Sequence, residues 1–156
     1  MKTVKEFMNP NVVCLSPDDT IFDAAKILSQ LNIAGAPVVE NDKIIGIVSI
    51  SDMIKFIDIK LGKLPKINTP GLSTLLLALA QMQKVRSDFK KELEKITKTK
   101  IKHVMTKKVI TASSSQTIID VAELMEKHDV NRLPVVDHGK IVGIVARADI
   151  IKSLIH

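Results

Sequence analysis

The apolar and polar positions near the start of the chain predict a strand followed by an amphipathic helix. The apolar run Asn11–Leu15 is typical of a short strand. Ser16 and Pro17 fit the N-cap and the first position of a helix, because a serine hydroxyl accepts a backbone hydrogen bond there and proline lacks the N–H group. Apolar residues at three- and four-residue steps from Ile21 to Leu31 predict the buried face of that helix.

Two further apolar runs predict a hairpin, and a closing helix follows them. The runs Ala36–Val39 and Lys43–Val48 flank the polar pair Asn41-Asp42, which favours a tight turn between two strands. Ser51-Asp52 then opens a helix with one apolar face. Together these elements make a β-α-β-β-α unit.

The same pattern returns at a constant offset of 97 residues, so that Met105 matches Met8 and Asp149 matches Asp52. In the second copy we expect strand Lys108–Ala112, a helix capped by Ser113 with Gln116, strand Leu133–Val136, turn His138-Gly139, strand Lys140–Val145 and a helix from Asp149. The duplication predicts an α/β (α+β) fold in which repeats of residues 1–60 and 101–156 pack sheet to sheet about a pseudo-twofold axis.

Each repeat closes with an apolar strand, a few small or polar residues and a carboxylate. The stretch Gly46–Asp52 recurs as Gly143–Asp149, and each carboxylate is expected in the first turn of a helix. A carboxylate there can accept sugar hydroxyls, while free N–H groups and the helix dipole attract phosphate. The alternative is that Ser51 is an N-cap and Asp52 a first-turn acid, each worth about 1 kcal/mol to the fold. Two matched copies favour a ligand.

The composition narrows the class of protein. A hydrophobic content of 46% is enough for a continuous core, whereas 3% aromatic residues offer few rings on which single-stranded nucleic acid could stack. The single Cys14 excludes an intramolecular disulfide and is expected to be a small core residue in a strand. Neither a signal peptide nor an apolar run of about 20 residues is visible, so we expect a cytoplasmic protein without a membrane span.

The net charge of +6 is confined to residues 58–101, which hold ten Lys or Arg residues and four acids. Within the insert 61–100, Thr69-Pro70 fits the start of a helix that runs to about Lys98. Its apolar residues recur at helical steps and are Leu75, Leu79, Met82, Phe89, Leu93 and Ile96. The insert could be an intramolecular strut, a surface for self-association or for an unknown protein partner, or a scaffold that binds nucleic acid or another polyanion. We expect a homodimer in which this helix takes part, because so long an apolar stripe needs a covering surface.

Catalytic signatures are lacking in the sequence. The four histidines, His103, His128, His138 and His156, do not have the spacing of metal ligands. The sequence contains neither a nucleophile elbow nor a phosphate-binding Walker loop. We therefore expect a protein that is not an enzyme and requires no cofactor or metal.

The repeated motifs resemble a known family. The openings Met-Asn-Pro-Asn-Val-Val and Met-Thr-Lys-Lys-Val-Ile, the Pro-Val-Val strands and the Gly-Ile-Val-x-x-x-Asp closings are similar to those of paired cystathionine beta-synthase (CBS) domains, the Bateman module. The resemblance covers nearly everything outside the insert. It implies a regulatory module that binds AMP, ADP, ATP or S-adenosylmethionine in clefts between the repeats, signals to a partner, and pairs into dimers through its outer helices.

The resemblance also implies which residues line the two clefts. In the first site, Asp52 and its neighbours combine with residues 108–110 and the loop 130–133. In the second site, Asp149 and Arg147 combine with residues 11–13 and the loop 33–37. The ligand-binding residues expected from this match are Ser49, Ser51, Asp52, Val109, Ile110, Asn131, Arg132, Asn11, Val12, Val13, Ala34, Gly35, Pro37, Arg147, Ala148 and Asp149.

The two sites are expected to differ in the ligand that they prefer. Ala146 stands where many family members have Ser or Thr, so the second site lacks one hydroxyl, but it gains Arg132 and Arg147. A phosphorylated ligand would favour the second site. The first site keeps both hydroxyls without a matching arginine, which suits a nucleoside with less phosphate or a sulfonium compound.

Overall fold

The computed structural model describes residues 1–61 and 87–156, in which helices and short strands are mixed. The helices are α1 (Val4–Phe7), α2 (Ile21–Leu31), α3 (Ile50–Leu61), α4 (which includes residues 87–97), α5 (Ile118–His128) and α6 (Arg147–Ile155). The strands are β1 (Gly35–Glu40), β2 (Lys43–Ser49), β3 (Arg132–Asp137) and β4 (Lys140–Ala146), and a short 3-10 helix spans Ile101–His103. Much of the predicted insert helix, including Thr69-Pro70, Leu75, Leu79 and Met82, lies outside the described residues.

The chain divides into two compact units, each made of several segments. The first unit comprises Met1–Pro17, Ala36–Ile47 and Thr106–His156. The second comprises Asp18–Gly35 and Val48–Met105, the latter without the undescribed residues 62–86. Each unit therefore takes residues from both sequence repeats.

Both predicted hairpins are present, with the predicted residues in their turns. Asn41 and Asp42 have φ values of 51° and 64°, and His138 and Gly139 have values of 52° and 76°. Two successive residues with positive φ form the tight turn that matches the twist of antiparallel strands. Strands β3 and β4 pair with Leu133 opposite Val145, and a register shift follows Val135.

The two opening strands predicted at Asn11–Leu15 and Lys108–Ala112 do not form as full strands. In each copy a single residue makes the parallel contact. Leu15 N–H donates to Pro37 O, and Leu15 O accepts from Val39 N–H, both at 2.9 Å. Ala112 makes the equivalent contacts beside Val135, at 2.9 and 2.8 Å. The apolar runs correctly predicted an extended segment in each copy. They did not predict that the hydrogen-bonded contact would be limited to one residue.

Helix α2 begins later than the sequence suggested. The N-cap is Thr20 rather than Ser16, and its hydroxyl accepts the Asp23 N–H at 3.1 Å. In return, Asp23 Oδ2 accepts the Thr20 N–H at 3.0 Å. A Thr-x-x-Asp pair satisfies two backbone donors at once, which explains why it sets the start of the helix in place of the Ser16-Pro17 signal.

Helix α5 repeats this arrangement. Its N-cap is Thr117 rather than Ser113, and Asp120 Oδ2 accepts the Thr117 N–H at 2.7 Å. The predicted pair Ser113 and Gln116 does form, because Ser113 N–H donates to Gln116 Oε1 at 2.8 Å. That hydrogen bond belongs to the turn before the helix.

Each unit has buried apolar side chains of its own. The core of the first unit is a cluster of Val4, Ala112, Val121, Met125, Leu133, Val135 and Val145. Buried residues of the second unit include Ile21, Ala24, Leu28, Val48, Met53, Ile96 and Ile101. Cys14, predicted to be a core residue, is exposed, so the prediction was wrong. In α4 the predicted apolar stripe is divided, because Ile96 is 2% exposed whereas Phe89 and Leu93 are 43% and 39% exposed.

Candidate ligand-binding site

The carboxylate of Asp149 is fixed at the N-terminus of α6 in the first unit. Ala146, the last residue of β4, is the N-cap of this helix in an extended conformation. Its backbone N–H donates to Asp149 Oδ2 at 2.8 Å. Because alanine has no side-chain oxygen, the helix has only this half of a capping pair. Asp149 is half-buried, so part of the carboxylate faces solvent.

Asp52 occupies the matching place in the second unit, where the capping pair is complete. Ser49 donates to Asp52 Oδ2 from its backbone N–H at 2.9 Å and from its hydroxyl at 3.0 Å, and Ser49 Oγ accepts the Asp52 N–H at 3.1 Å. Helix α3 therefore begins at Ile50, and the prediction that Ser51-Asp52 opens it was wrong by one residue. Ser51 is exposed beside this pair.

Both aspartates thus act as helix caps, and this role still allows them to bind a ligand. Within the described residues, the hydrogen bonds that the carboxylates of Asp52 and Asp149 accept all go to Oδ2. A carboxylate has about four acceptor positions on its two oxygens. Oδ1 of each residue is therefore the oxygen that would accept a ribose hydroxyl.

The opening segment of the first repeat is bound to the closing strand of the second. Asn9 and Ile144 exchange both backbone hydrogen bonds at 2.9 Å. Asn9 Oδ1 also accepts the Asn11 N–H at 3.0 Å, which fixes the start of the predicted lining segment Asn11–Val13. Gly143 allows this close approach, because a Cβ atom there would collide with Met8 Sδ. All of these residues belong to the first unit, as does Asp149.

The symmetry-related segment makes the same contact. Thr106 and Ile47 exchange backbone hydrogen bonds at 2.8 and 2.9 Å, again within the first unit. Thr106 matches Asn9 and Ile47 matches Ile144. The opening segment of each repeat is therefore hydrogen-bonded to the second strand of the other repeat. Backbone hydrogen bonds therefore join the two repeats at two equivalent places.

The predicted loop residues contact the start of a closing helix. Asn131 O accepts the Arg147 N–H at 3.1 Å in the first unit. Ala34 O accepts the Ile50 N–H at 2.9 Å in the second. Both bonds join a loop to the closing helix of its own repeat and satisfy one of the helix's N-terminal donors.

The two arginines of the predicted phosphate site begin different elements, Arg132 strand β3 and Arg147 helix α6. Arg132 begins β3 and is paired in register with Ala146, one residue before Arg147. Arg147 Nη1 donates to Glu126 Oε1 of α5 at 2.7 Å, in a pair whose side chains are 44% and 75% exposed. Exposed ion pairs contribute little, so a ligand phosphate could replace the Glu126 carboxylate at small cost.

The remaining predicted residues differ in exposure. Pro37 and Gly35 are buried, Val12, Val13, Val109 and Ile110 are half-buried, and Ala148 is exposed. Both predicted sites draw residues from both units, since Ala34 and Gly35 of the second site belong to the second unit, and both remain predictions. Sequence reasoning missed Glu126 and the structural role of Asn9. Asn9 lies in the quoted Met-Asn-Pro opening, whereas no local pattern marks Glu126 as the partner of Arg147.

Neither a metal-binding cluster nor a membrane-spanning helix is found in the part of the chain that the structure describes. In residues 1–61 and 87–156, no group of three or more His, Cys, Asp or Glu side chains is arranged to hold a metal ion. None of the helices in the same ranges is long and apolar enough to cross a membrane.

Comparison with known proteins identifies the class. The CBS domain profile matches residues 4–59 and 101–156, and the chain belongs to the CBS domain family. It carries two such domains in tandem, which is the arrangement of a Bateman module.

One relative and two solved structures show how far the likeness extends. The uncharacterized protein MJ1426 of Methanocaldococcus jannaschii is 39% identical over 97% of this chain and 90% of its own length. The CBS domain pair of protein MJ0100, solved with 5′-methylthioadenosine and S-adenosyl-L-methionine, is 28% identical over 99% of this chain and 96% of its own, with a TM-score of 0.69. The CBS domain structure of NE2398 covers both chains fully at a TM-score of 0.74 and 24% identity, which supports the fold alone.

Proposed function

We propose that this chain is a non-catalytic regulatory module that binds an adenosine-containing ligand beside the N-terminus of α6. Asp149 accepts the ribose hydroxyls through Oδ1, while Oδ2 remains bonded to the Ala146 N–H. A ribose diol is a suitable partner, because two neighbouring hydroxyls can donate to one carboxylate. The likeness to a CBS domain pair that was solved with methylthioadenosine and S-adenosylmethionine supports an adenosine-based ligand.

The observation that carries this proposal is the exchange of backbone hydrogen bonds between Asn9 and Ile144. A cap carboxylate alone would be explained by helix stability. Here, the strand that leads to Asp149 is also bonded to the segment that continues into Asn11–Val13, and that segment comes from the other repeat. The half-buried Val12 and Val13 are apolar side chains suited to contact with an adenine ring.

The charges near α6 favour a phosphorylated ligand at this site. Arg132 and Arg147 stand beside a helix N-terminus, where the backbone N–H groups and the dipole already attract anions. At Asp52 the preceding residues are Ser49, Ile50 and Ser51, so Ser51 stands where Ala148 precedes Asp149 and Ile50 stands where Arg147 does. We infer that Asp52 serves a ligand with less phosphate, or a sulfonium cation such as that of S-adenosylmethionine.

Calorimetric titration of the full chain with AMP, ADP, ATP, S-adenosylmethionine and methylthioadenosine tests the proposal, with GMP as the base control. We expect binding of at least one adenosine compound and weaker binding of GMP. At a hundred times its Kd, such a ligand should add about 2.7 kcal/mol to the free energy of unfolding. The absence of heat and of a thermal shift with every adenosine compound would contradict the proposal.

We further propose that the module signals ligand binding by associating with another protein molecule, in the first place a second copy of itself. Phe89 and Leu93 lie four residues apart on α4, so both are on one face, and both are exposed. Leu93→Glu should raise the monomer fraction in light scattering at high salt, whereas Lys90→Glu on the same helix should leave it unchanged. Equal behaviour of the two variants would assign pairing to other helices.

The competing function is a polyanion scaffold that uses the basic insert. A DNA mobility-shift assay over a range of salt concentrations distinguishes it, because phosphate contacts weaken steeply as salt increases. Salt-sensitive DNA binding by a chain that binds no adenosine compound would favour the scaffold.

A further inference from the structure

The second unit contains a cavity of about 440 Å³ that is separate from the two cap carboxylates. It lies between the C-terminal half of α3, the end of α4 and the 3-10 helix that follows. Its volume is within the range of about 300–1,000 Å³ that is usual for small-molecule sites. None of the residues assigned to adenosine binding lines it.

Two apolar side chains form one part of its lining. Ile96 is 2% exposed and fixed in the core of the unit. Phe56, on α3, is half-buried and presents an aromatic ring. A flat apolar body could lie against this ring and exclude water from both side chains.

The polar lining has an excess of positive charge. Lys60 Nζ lies 5.5 Å from the centroid of the Phe56 ring. Lys95 pairs at 3.7 Å with Glu92, the one carboxylate among the described residues of the lining. Lys60 therefore remains as a positive charge beyond that pair. Thr99 and His103 add further polar groups at the same cavity.

We propose that this cavity binds a small organic anion with an aromatic body, such as an aryl phosphate or an aryl carboxylate. The ring packs on Phe56 and Ile96, and the anionic group lies between the ammonium groups of Lys60 and Lys95. The described lining holds two lysines against the single carboxylate of Glu92, so its charge favours an anion over a neutral sugar diol. The cavity therefore recognises a different chemical class from the site at Asp149.

Phenyl phosphate is the probe for this proposal, in an NMR titration of the full-length, ¹⁵N-labelled protein. We expect saturable shifts of the Phe56, Ile96 and Thr99 amides. Inorganic phosphate and phenol, which each carry one half of the recognised structure, should bind at least about tenfold more weakly. Equal affinity for phenyl phosphate and inorganic phosphate, or shifts confined to other residues, would overturn the proposal.

Lys60→Gln and Lys95→Gln should each weaken phenyl phosphate about two- to fivefold, the range expected for exposed charge pairs. Lys91→Gln, on the same helix as Lys95 but outside the lining, is the matched control. Asp149→Ala should leave this titration unchanged. If Lys91→Gln weakens binding as much as Lys60→Gln, or if Asp149→Ala abolishes binding, the anion does not occupy this cavity. Neither result would affect the proposed adenosine function, which is measured with different ligands.

Discussion

Asn9 and Ile144 belong to different repeats, and each donates its backbone N–H to the other's carbonyl oxygen at 2.9 Å. The same exchange joins Thr106 to Ile47. Such a pair fixes an opening segment, which forms no full strand in its own repeat, against the second strand of the other repeat. The duplication therefore contributes to the fold, because the second strand of each copy provides hydrogen-bonding partners for the opening segment of the other.

Gly143→Ala should weaken this exchange directly. The new Cβ would collide with Met8 Sδ and lie 3.0 Å from Met8 Cγ and 3.2 Å from Asn9 O. The methionine can move, but the Asn9 carbonyl cannot do so without loss of its bond to Ile144. We expect a loss of about 1–3 kcal/mol in the free energy of unfolding, measured by urea denaturation.

The control for this variant is Gly139→Asn. Gly139 has open space around its Cβ position and a φ of 76°, which asparagine tolerates better than most residues. Its stability should stay within about 0.5 kcal/mol of the parent. A Gly143→Ala protein as stable as this control would show that the close approach is not needed.

Asp149→Ala should raise the Kd for an adenosine ligand about ten- to a hundredfold, because a hydrogen bond to a charged acceptor is worth about 1.5–3 kcal/mol. Calorimetry with AMP measures the change. Asp120→Ala is the matched control, since Asp120 also accepts the N–H group of an N-cap residue in the same unit. Parallel loss of affinity in both variants would mean that Asp149 acts only through helix stability.

Arg132→Ala should lower the affinity for phosphorylated ligands more than the affinity for unphosphorylated ones. Loss of a charge-assisted contact to phosphate should weaken AMP about tenfold or more while adenosine changes little. Arg147→Ala should have a smaller effect, up to about fivefold, because its guanidinium is exposed and charge contacts made in solvent are weak. If adenosine and AMP lose affinity equally in Arg132→Ala, this arginine supports the loop instead.

Acid should destabilise the fold through its capping carboxylates. Hydrogen bonds from the Thr117 N–H and then its hydroxyl lower the pKa of Asp120, and the Thr20 N–H and hydroxyl do the same for the pKa of Asp23. A carboxyl whose pKa is lower in the folded state stabilises the fold above its unfolded pKa, near about 3.9. That contribution is lost as the pH falls through the lowered folded pKa. The free energy of unfolding should therefore decrease below about pH 4.

Asp120→Asn isolates one of these groups. It should be less stable than the parent at pH 7 and show a smaller further loss between pH 4 and pH 2 in urea denaturation. Glu123→Gln, an exposed change on the same helix, is the control and should follow the parent curve. A variant that keeps the full acid dependence of the parent would assign that dependence to other carboxylates.

Local signals in the sequence predicted much of the fold. Asn41-Asp42 and His138-Gly139 marked both hairpin turns, because these residue types tolerate positive φ. The constant offset predicted the duplication, and the paired closings predicted a carboxylate in the first turn of α3 and α6. The turns and the first-turn carboxylates depend on residues within a few positions of one another, whereas the duplication is a comparison of the chain with itself.

Competition between local signals caused the errors. Ser16-Pro17 predicted the helix start, but the reciprocal Thr20–Asp23 pair sets it, because this pair satisfies the backbone N–H groups of both Thr20 and Asp23. The exposed Cys14 lies in a segment that makes its parallel contact only at Leu15. The apolar run alone did not reveal how short that contact is.

The sequence by itself determined the repeat, the turns and the residue types at the helix starts, since backbone conformation and capping depend on near neighbours. Only the tertiary structure decided that Asn9 pairs with Ile144 and that Arg147 pairs with Glu126. It also decided that Phe56, Lys60, Lys95 and Ile96 line one cavity. These partners are brought together by burial of the apolar core, and hydrophobic attraction is non-directional, so no short pattern in the chain specifies which polar groups will meet.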